Sequence, residues 1–468
     1  MVLVLQEELQ LLDSPEIDSS STHHDLLTAP LVTRAAHVAA GFEQLRPQYG
    51  VLGGVVSIHS TTGVEETEDP RLYVSTNTPF SSIVCGVQGS GKSHTVSVML
   101  ENMFIKGCQH VGRLSRPLAG LILYFGEGGE ASRPCEAAWV GVSNVPGVKP
   151  PSVRVYVPRS SLKTMERIYS PMGPNVTVQP LLFSEAELDA EAFLSMMAVG
   201  SSDSAPLYMQ MFLSILRNLG EDFSPQAFRQ QLSIRKAQWN SDQRLSLDQR
   251  MSLLDSFTAA PEEVNALQKT PRFAAGQITI IDLSDLFIDS ASACALFEII
   301  TRLFVRASVN TGKVLVVDEA HKYLSTDRGL GGLTGALCSL IRQQRHLGMR
   351  VIISTQEPTV VPPVLLDLCN VAILHRFSSS SWWNHLAKHV AADFSAGDAF
   401  DTVVKLRTGE AIVLAPSGLG TFLDSSSTDT KQVHGRRVLG QFGRRYMVMR
   451  TRQRVTADGG ASILVVNH

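Results

Sequence analysis

The sequence predicts an α/β fold built on a mostly parallel central sheet, and three observations carry that expectation. First, the short apolar run Ser82-Ile83-Val84-Cys85 leads through Gly86-Val87-Gln88-Gly89-Ser90-Gly91-Lys92-Ser93 into residues 94–104, where Val96, Met99, Leu100 and Met103 have helical spacing. Second, Lys313-Val-Leu-Val-Val-Asp318-Glu319 is an apolar run that ends in two carboxylates. Third, Met349-Arg-Val-Ile-Ile-Ser-Thr-Gln356-Glu-Pro358 is another run of buried-strand character, ending in a polar cluster and a proline. Strands buried on both faces of a parallel sheet read as such near-continuous apolar runs.

The glycine-rich stretch reads G-x-x-x-x-G-K-S, the spacing of a phosphate-binding loop, and it lies between a strand end and a helix start, as that loop requires. Its glycines let backbone N–H groups turn inward around phosphate oxygens, and the helix N-terminus adds positive dipole. Lys92 is expected to reach the β- and γ-phosphates, and the Ser93 hydroxyl to coordinate Mg2+. The expected nucleotide-binding residues are Gly86, Gln88, Gly89, Ser90, Gly91, Lys92, Ser93 and His94, with ATP and Mg2+ as ligands.

Length and composition bound the rest. A chain of 468 residues is long enough for one large α/β domain with insertions, or for two to three ordinary domains. Apolar content of 44% and charged content of 18% fit a globular protein with a sizeable core. A net charge of −3 gives no overall drive toward nucleic acid, so any such binding must be local. The six cysteines are scattered without a CxxC pair, which favours buried free thiols over a zinc site. The N-terminus lacks the basic start of a signal peptide, and no window approaches the ~18 unbroken apolar residues of a membrane span. The expectation is an intracellular, soluble protein of the cytoplasm or nucleus.

Taken in order, residues 1–30 are polar and acidic and read as a mobile tail. Residues 31–80 alternate in places, as in Tyr49-Gly-Val-Leu-Gly-Gly-Val-Val-Ser-Ile-His59, and read as a small β-rich lead-in. The first part of the core then spans 81–160, with further strands at 118–125 and 152–157. Residues 161–271 read as a helical insertion, with Phe193, Met196 and Met197 on one face and Leu207, Met211, Leu213, Ile215 and Leu216 on another. Core order resumes over 272–430, with a strand at 277–283 ending near Asp282 and a helix at about 291–309. A basic C-terminal segment, 431–468, completes the chain.

The acidic strand end has the form of a Walker B strand. Asp318 is expected to hold Mg2+, and Glu319 to act as general base on the attacking water. The spelling Asp-Glu-Ala-His matches the box of a helicase superfamily, but that superfamily's Ser-Ala-Thr element and second ATPase lobe are missing from the sequence, so His321 is assigned no role. The third run resembles the strand that the glutamate-dependent branch of P-loop ATPases carries between the phosphate-loop strand and the acidic strand, and that likeness implies the same placement here. There Gln356 would sense the γ-phosphate or the attacking water.

The motifs over 313–377 resemble the HerA–FtsK superfamily of ATP-driven translocases, which includes HerA-like, conjugative coupling and secretion ATPases. The matching text is V-L-V-V-D-E-A-H-K-Y-L, I-R-Q-Q-R-H-L-G-M-R-V-I-I-S-T-Q-E-P and L-L-D-L-C-N-V-A-I-L-H-R-F, with Gly409-Glu-Ala-Ile-Val-Leu-Ala-Pro416 further on. The resemblance spans about 80–418. It implies a RecA-like P-loop NTPase core, a helical insertion and assembly into a homo-oligomeric, hexameric ring. It also implies an arginine pointing into the neighbouring subunit's site: Arg345 matches that position, with Arg342 as the near alternative, and Arg376 ends the next strand. One departure stands out. Many members carry an acid at the end of the strand corresponding to 118–125, and here Phe125-Gly-Glu127 stands instead.

The substrate that the resemblance implies is double-stranded DNA, with a nuclease or other protein as partner. Two local features bear on it. The loop Arg328-Gly-Leu-Gly-Gly-Leu-Thr-Gly335 suits either a mobile pore loop or a surface loop. Arg436, Arg437, Arg444, Arg445, Arg450, Arg452 and Arg454 suit either phosphate pairing, with Phe442 and Tyr446 stacking on bases, or an exposed strand or tail with solvated charge. The expected activity is ATP hydrolysis by a DNA-translocating ring. The alternatives are an ATPase that moves protein and a nucleotide-gated switch without sustained turnover.

Overall fold

The computed structural model describes residues 27–42, 48–61, 63–197, 207–236, 241–264, 270–324, 332–390, 398–423 and 437–459. In chain order the described strands are β1 (Leu31–Thr33), β2 (Tyr49–Ser60), β3 (Gly63–Glu65), β4 (Arg71–Ser75), β5 (Ser81–Cys85), β6 (Gly112–Arg113), β7 (Ala119–Tyr124), β8 (Ser152–Val157) and β9 (Val176–Pro180). They continue as β10 (Gln277–Asp282), β11 (Lys313–Val317), β12 (Met349–Thr355), β13 (Val371–His375), β14 (Glu410–Leu414), β15 (Leu419–Leu423), β16 (Arg437–Gln441) and β17 (Tyr446–Thr451).

Eight of these pair in parallel, in the order β9-β8-β10-β7-β11-β12-β5-β13. The mixed α/β architecture with a mostly parallel sheet is the one the apolar runs predicted. Every residue of β5, β10, β11, β12 and β13 is buried. Successive side chains alternate between two cores, as the two-residue period of a strand demands. Ile83, Leu121, Ile281, Leu315, Val317, Val351 and Ile353 face one core, together with Phe193, Phe228, Leu254, Leu296, Ile300 and Leu337. Val84, Ile122, Ile280, Val314, Val316 and Ile352 face the other, together with Val96, Met99, Leu100, Met103 and Met165. Helices therefore cover both faces. The helix Lys92–Phe104 lies on one side, and Ser290–Arg306, Gly332–Leu347 and the helices between 190 and 256 lie on the other.

Beyond β13 the sheet turns antiparallel and runs β14-β17-β2-β4, then β1 and, parallel to it, β15, with β16 outermost. Five inter-strand steps separate β14 from β15, about 24 Å if flat at ~4.8 Å each. Yet only four residues separate Leu414 from Leu419, a reach of at most about 18 Å over five steps, and Gly418 N–H bonds Ala415 O at 2.8 Å to make a turn. The strands must therefore curl around the core of Leu52, Val55, Leu72, Val74, Val413, Phe422, Phe442 and Met447.

This curl changes the reading of the C-terminal arginines. β17 is an integral strand, paired with β2 from Tyr446 opposite His59 to Thr451 opposite Gly53, with a register shift between Val448 and Met449. Phe442 is fully buried, and Tyr446 is buried with its ring stacked on His59 at 4.6 Å, so neither offers a platform for bases. Arg437 pairs with Glu65, Arg454 with Glu136, and Arg445 lies over the Phe422 ring. Arg436 lies outside the described residues, as do positions 1–26 of the expected tail and 328–331 of the glycine-rich loop. Gly332 and Gly335 belong to the helix Gly332–Leu347. Among the described residues no helix is long and apolar enough to cross a membrane.

Candidate active site

Because the core strands are parallel, the segments that follow them gather along one edge of the sheet. Such an edge is where open α/β sheets bind ligands. The loop after β5, the acids after β11 and Gln356 after β12 all lie there. β12 pairs with β11 on one side and β5 on the other, as the third apolar run was expected to do.

The loop leaves β5 at Gly86 and enters the helix Lys92–Phe104 at Gly91. Gly91 has φ 111°, and a Cβ there would lie 2.9 Å from Gly409, so neither a side chain nor an ordinary backbone conformation fits. The loop is anchored from outside: Val87 N–H bonds Arg376 O at 3.1 Å, and Gly409 N–H bonds Ser90 O at 3.0 Å. Within it, Ser90 Oγ donates to Val87 O at 2.7 Å. Gln88 and Gly89 form the exposed tip, Ser90 is buried and Ser93 is half-buried. The His94 ring is engaged elsewhere, its Nε2 donating to Arg452 O at 2.8 Å.

Lys92 is buried, and its Nζ lies 3.9 Å from Glu319 Oε1. Gln356 Nε2 donates to both Glu319 oxygens, at 3.0 and 2.8 Å. The structure thus brings Lys92 together with Glu319 and Gln356, which lie more than two hundred positions later in the sequence. Glu319 has φ 50° and ψ 39°, the only described non-glycine residue at positive φ. Such backbone costs a non-glycine residue on the order of 1–3 kcal/mol and clusters at functional sites. Here it turns the carboxylate from the end of β11 back toward the loop. Sequence reasoning missed His321, whose Nε2 lies 3.4 Å from Glu319 Oε2 and whose Nδ1 accepts from Gln356 N–H at 3.4 Å.

Asp318 is buried, with its Oδ1 accepting Glu319 N–H at 3.0 Å. Its backbone is pinned by Leu123 O and by the Tyr323 hydroxyl, which donates to Asp318 O at 2.8 Å. Burial pushes its pKa above the usual carboxylate range, the Glu319 charge adds to this, and Lys92 opposes it. No salt bridge reaches Asp318 among the described residues. The buried Asp318 carboxylate and the hydroxyl of Ser93, in the first turn of the helix that follows the loop, are hard oxygen donors of the kind that hold Mg2+.

Arg345 sits in the last turn of the helix Gly332–Leu347, immediately before β12, and is exposed, as is Arg342. It lies at the opposite end of β12 from Gln356. The six steps of β12 at about 3.3 Å each put it about 20 Å from the Gln356 end of the strand, where its own loop lies. All six cysteines are free thiols, and burial raises the Cys85 pKa to about 12. Among the described residues no cluster of His, Cys, Asp and Glu has metal-site form.

No family model matches the sequence. No curated protein matches it either. Among solved structures the chain is similar to VirB4 of Thermoanaerobacter pseudethanolicus, with a TM-score of 0.41 and 15% identity over 78% of this chain and 93% of that one. It is similar to the bacterial conjugative coupling protein TrwBdeltaN70, with a TM-score of 0.41 and 11% identity over 81% of this chain and 87% of that one. It is also similar to the genome packaging NTPase B204 from Sulfolobus turreted icosahedral virus 2 in complex with AMP, with a TM-score of 0.30 and 12% identity over 72% and 91%. All three are distant in sequence and in superposition, and what each binds or moves is a property of that protein.

Proposed function

We propose that this chain hydrolyses ATP and uses the energy to translocate double-stranded DNA as a homo-oligomeric ring. The observation that carries the hydrolysis is the convergence of Lys92, Glu319 and Gln356 at one edge of the sheet, with buried Asp318 beside them.

In this reading the loop amides and Lys92 hold the β- and γ-phosphates. Ser93 and Asp318 hold Mg2+, which supplies neutralisation of charge on the phosphate oxygens. A water attacks the γ-phosphorus and the bond to the β,γ-bridging oxygen breaks. ADP and phosphate leave, and Glu319 takes the water's proton. Gln356 orients the Glu319 carboxylate by donating to both of its oxygens, whose remaining lone pairs can accept a bond from the water. Arg345, too far from its own loop, serves a neighbouring copy by placing a guanidinium on the transferring phosphate. That would tie hydrolysis to assembly.

The DNA assignment and the ring rest on the resemblance of the 313–377 motifs together with the outward position of Arg345. They are tested by the steady-state ATPase rate with and without double-stranded DNA, measured beside the oligomeric mass, on wild type and Arg345→Ala. Stimulation by DNA in a multi-subunit assembly, lost in the variant although the assembly persists, supports the proposal. Hydrolysis indifferent to DNA would remove DNA as the substrate and leave a motor that acts on protein.

A further inference from the structure

We infer that His375 is a positioning residue for the phosphate loop, holding both ends of the loop and tying it through Thr95 to the C-terminal strand β17. The inference rests on the nucleotide-binding reading of the loop.

His375 is the last residue of β13, next to β5, and is fully buried. Gly86, where the loop begins, lies so close that a Cβ there would be 2.7 Å from His375 Cβ. Gly91, where the loop ends, would place a Cβ 3.4 Å from His375 Cε1. His375 therefore lies against both ends of the loop, with its Cβ at Gly86 and its ring at Gly91.

Its hydrogen bonds fix its orientation. Nδ1 lies 2.9 Å from Glu410 O, and a carbonyl can only accept, so Nδ1 carries the proton. Burial lowers the ring pKa to about 4, so the ring is neutral near pH 7 and Nε2 presents a lone pair. Thr95 Oγ1, 3.0 Å away, must then donate to Nε2. The Thr95 hydroxyl has one proton, so Thr451 Oγ1, at 2.8 Å, donates to Thr95 in turn. The relay runs in one direction, from Thr451 through Thr95 and His375 to Glu410 O. Thr95 lies in the first turn of the helix that carries Lys92 and Ser93, and Thr451 closes β17. Two strands of the curled sheet, β14 and β17, therefore reach the first turn of the nucleotide helix through a single side chain. A shift of either strand alters the seat of the loop.

The test compares wild type with His375→Ala, His375→Gln, Thr95→Val and Thr451→Val. It measures KM and kcat for ATP, the Kd for a fluorescent ATP analogue and the melting temperature. His375→Ala and Thr95→Val are each expected to raise KM and Kd at least tenfold, with kcat changed less than threefold. The double variant is expected to be no worse than the poorer single one. His375→Gln restores an acceptor toward Thr95 and is expected to recover most of the affinity. Thr451→Val touches only the outer end of the relay, and is expected to raise Kd severalfold even if His375→Ala does not fold. Variants that lower the melting temperature but bind the analogue within twofold of wild type would overturn the inference. A wild type that binds the analogue without turnover would instead sink the hydrolysis reading, and the Kd comparison would still decide the role of His375.

Discussion

Replacing Arg452 by alanine removes the cation from a buried ionic hub that joins the curled sheet to the helix Lys92–Phe104. Glu101 stands in the third turn of the helix Lys92–Phe104 and is completely buried. Its carboxylate accepts from Arg452 Nη1 at 2.6 Å, Val455 N–H at 2.9 Å, Thr456 N–H at 2.8 Å and Thr456 Oγ1 at 2.6 Å. Arg452 in turn donates through Nε to Val51 O at 2.7 Å and through Nη2 to Asn102 Oδ1 at 2.9 Å. Removing one partner of a buried pair costs about 3–5 kcal/mol, because the other charge stays buried without compensation. Three neutral donors remain on Glu101, so we expect the low end, about 3 kcal/mol. Glu101→Gln keeps the shape and removes the charge, and is expected to cost about 2 kcal/mol. In the double variant no unpaired charge remains, so its loss should fall well short of the sum of the two. Urea unfolding of the four proteins, followed with amide exchange across 92–104 and 451–459, gives the cycle. Losses under about 1 kcal/mol for Arg452→Ala, or strict additivity, would refute the hub.

Three further predictions follow from the same geometry. Gln356→Leu keeps the volume near Glu319 but removes both bonds to its carboxylate; kcat for ATP hydrolysis is expected to fall by about 10- to 100-fold with nucleotide affinity retained, as single-turnover kinetics and direct binding would show. Gly91→Ala forces a Cβ to 2.9 Å from Gly409 at φ 111°, so it is expected to cost about 1–3 kcal/mol and to weaken nucleotide binding, read by calorimetry. The His375 pKa is depressed from 6.5 to about 4 by burial, so the unfolded chain binds the extra proton first. Its contribution is fully present above about pH 6.5 and is lost as pH falls toward 4, worth about 3 kcal/mol. A stability profile of His375→Gln against wild type should diverge at high pH and converge across that window.

Much of the site was legible because its chemistry sits in contiguous motifs. The residues around Lys92, Asp318 and Gln356 each follow an apolar run that can only be a buried strand, so strand and motif identify each other. The placement of β12 between β5 and β11 came from the likeness to a branch of P-loop ATPases, since an apolar run carries no strand order. What stayed hidden depends on partners far apart in the chain. Arg452 looks like solvated charge until β17 is seen to pair with β2, about 400 residues earlier, bringing it to Glu101. Phe442 and Tyr446 look available for stacking until the sheet curls around them. Glu101 lies next to Leu100 in a helix whose polar and apolar residues are both buried from Thr95 to Phe104, so amphipathic spacing could not reveal its role. His321 was set aside because its spelling belongs to another superfamily's box. Only the left-handed turn at Glu319 shows that its ring meets the carboxylate. His375 reads as one polar residue ending an apolar strand, and its partners Thr95 and Glu410 lie 280 and 35 residues away.

The most direct measurement is phosphate release from ATP and Mg2+ by the full chain, wild type beside Glu319→Gln, with binding of a fluorescent ATP analogue followed in parallel. Sustained release by wild type, reduced at least about 100-fold in Glu319→Gln while the analogue binds both equally, is the expected result. Equal release by the two proteins, or tight binding by wild type with no release, would contradict the assignment of Glu319 as the base of an ATP-hydrolysing site.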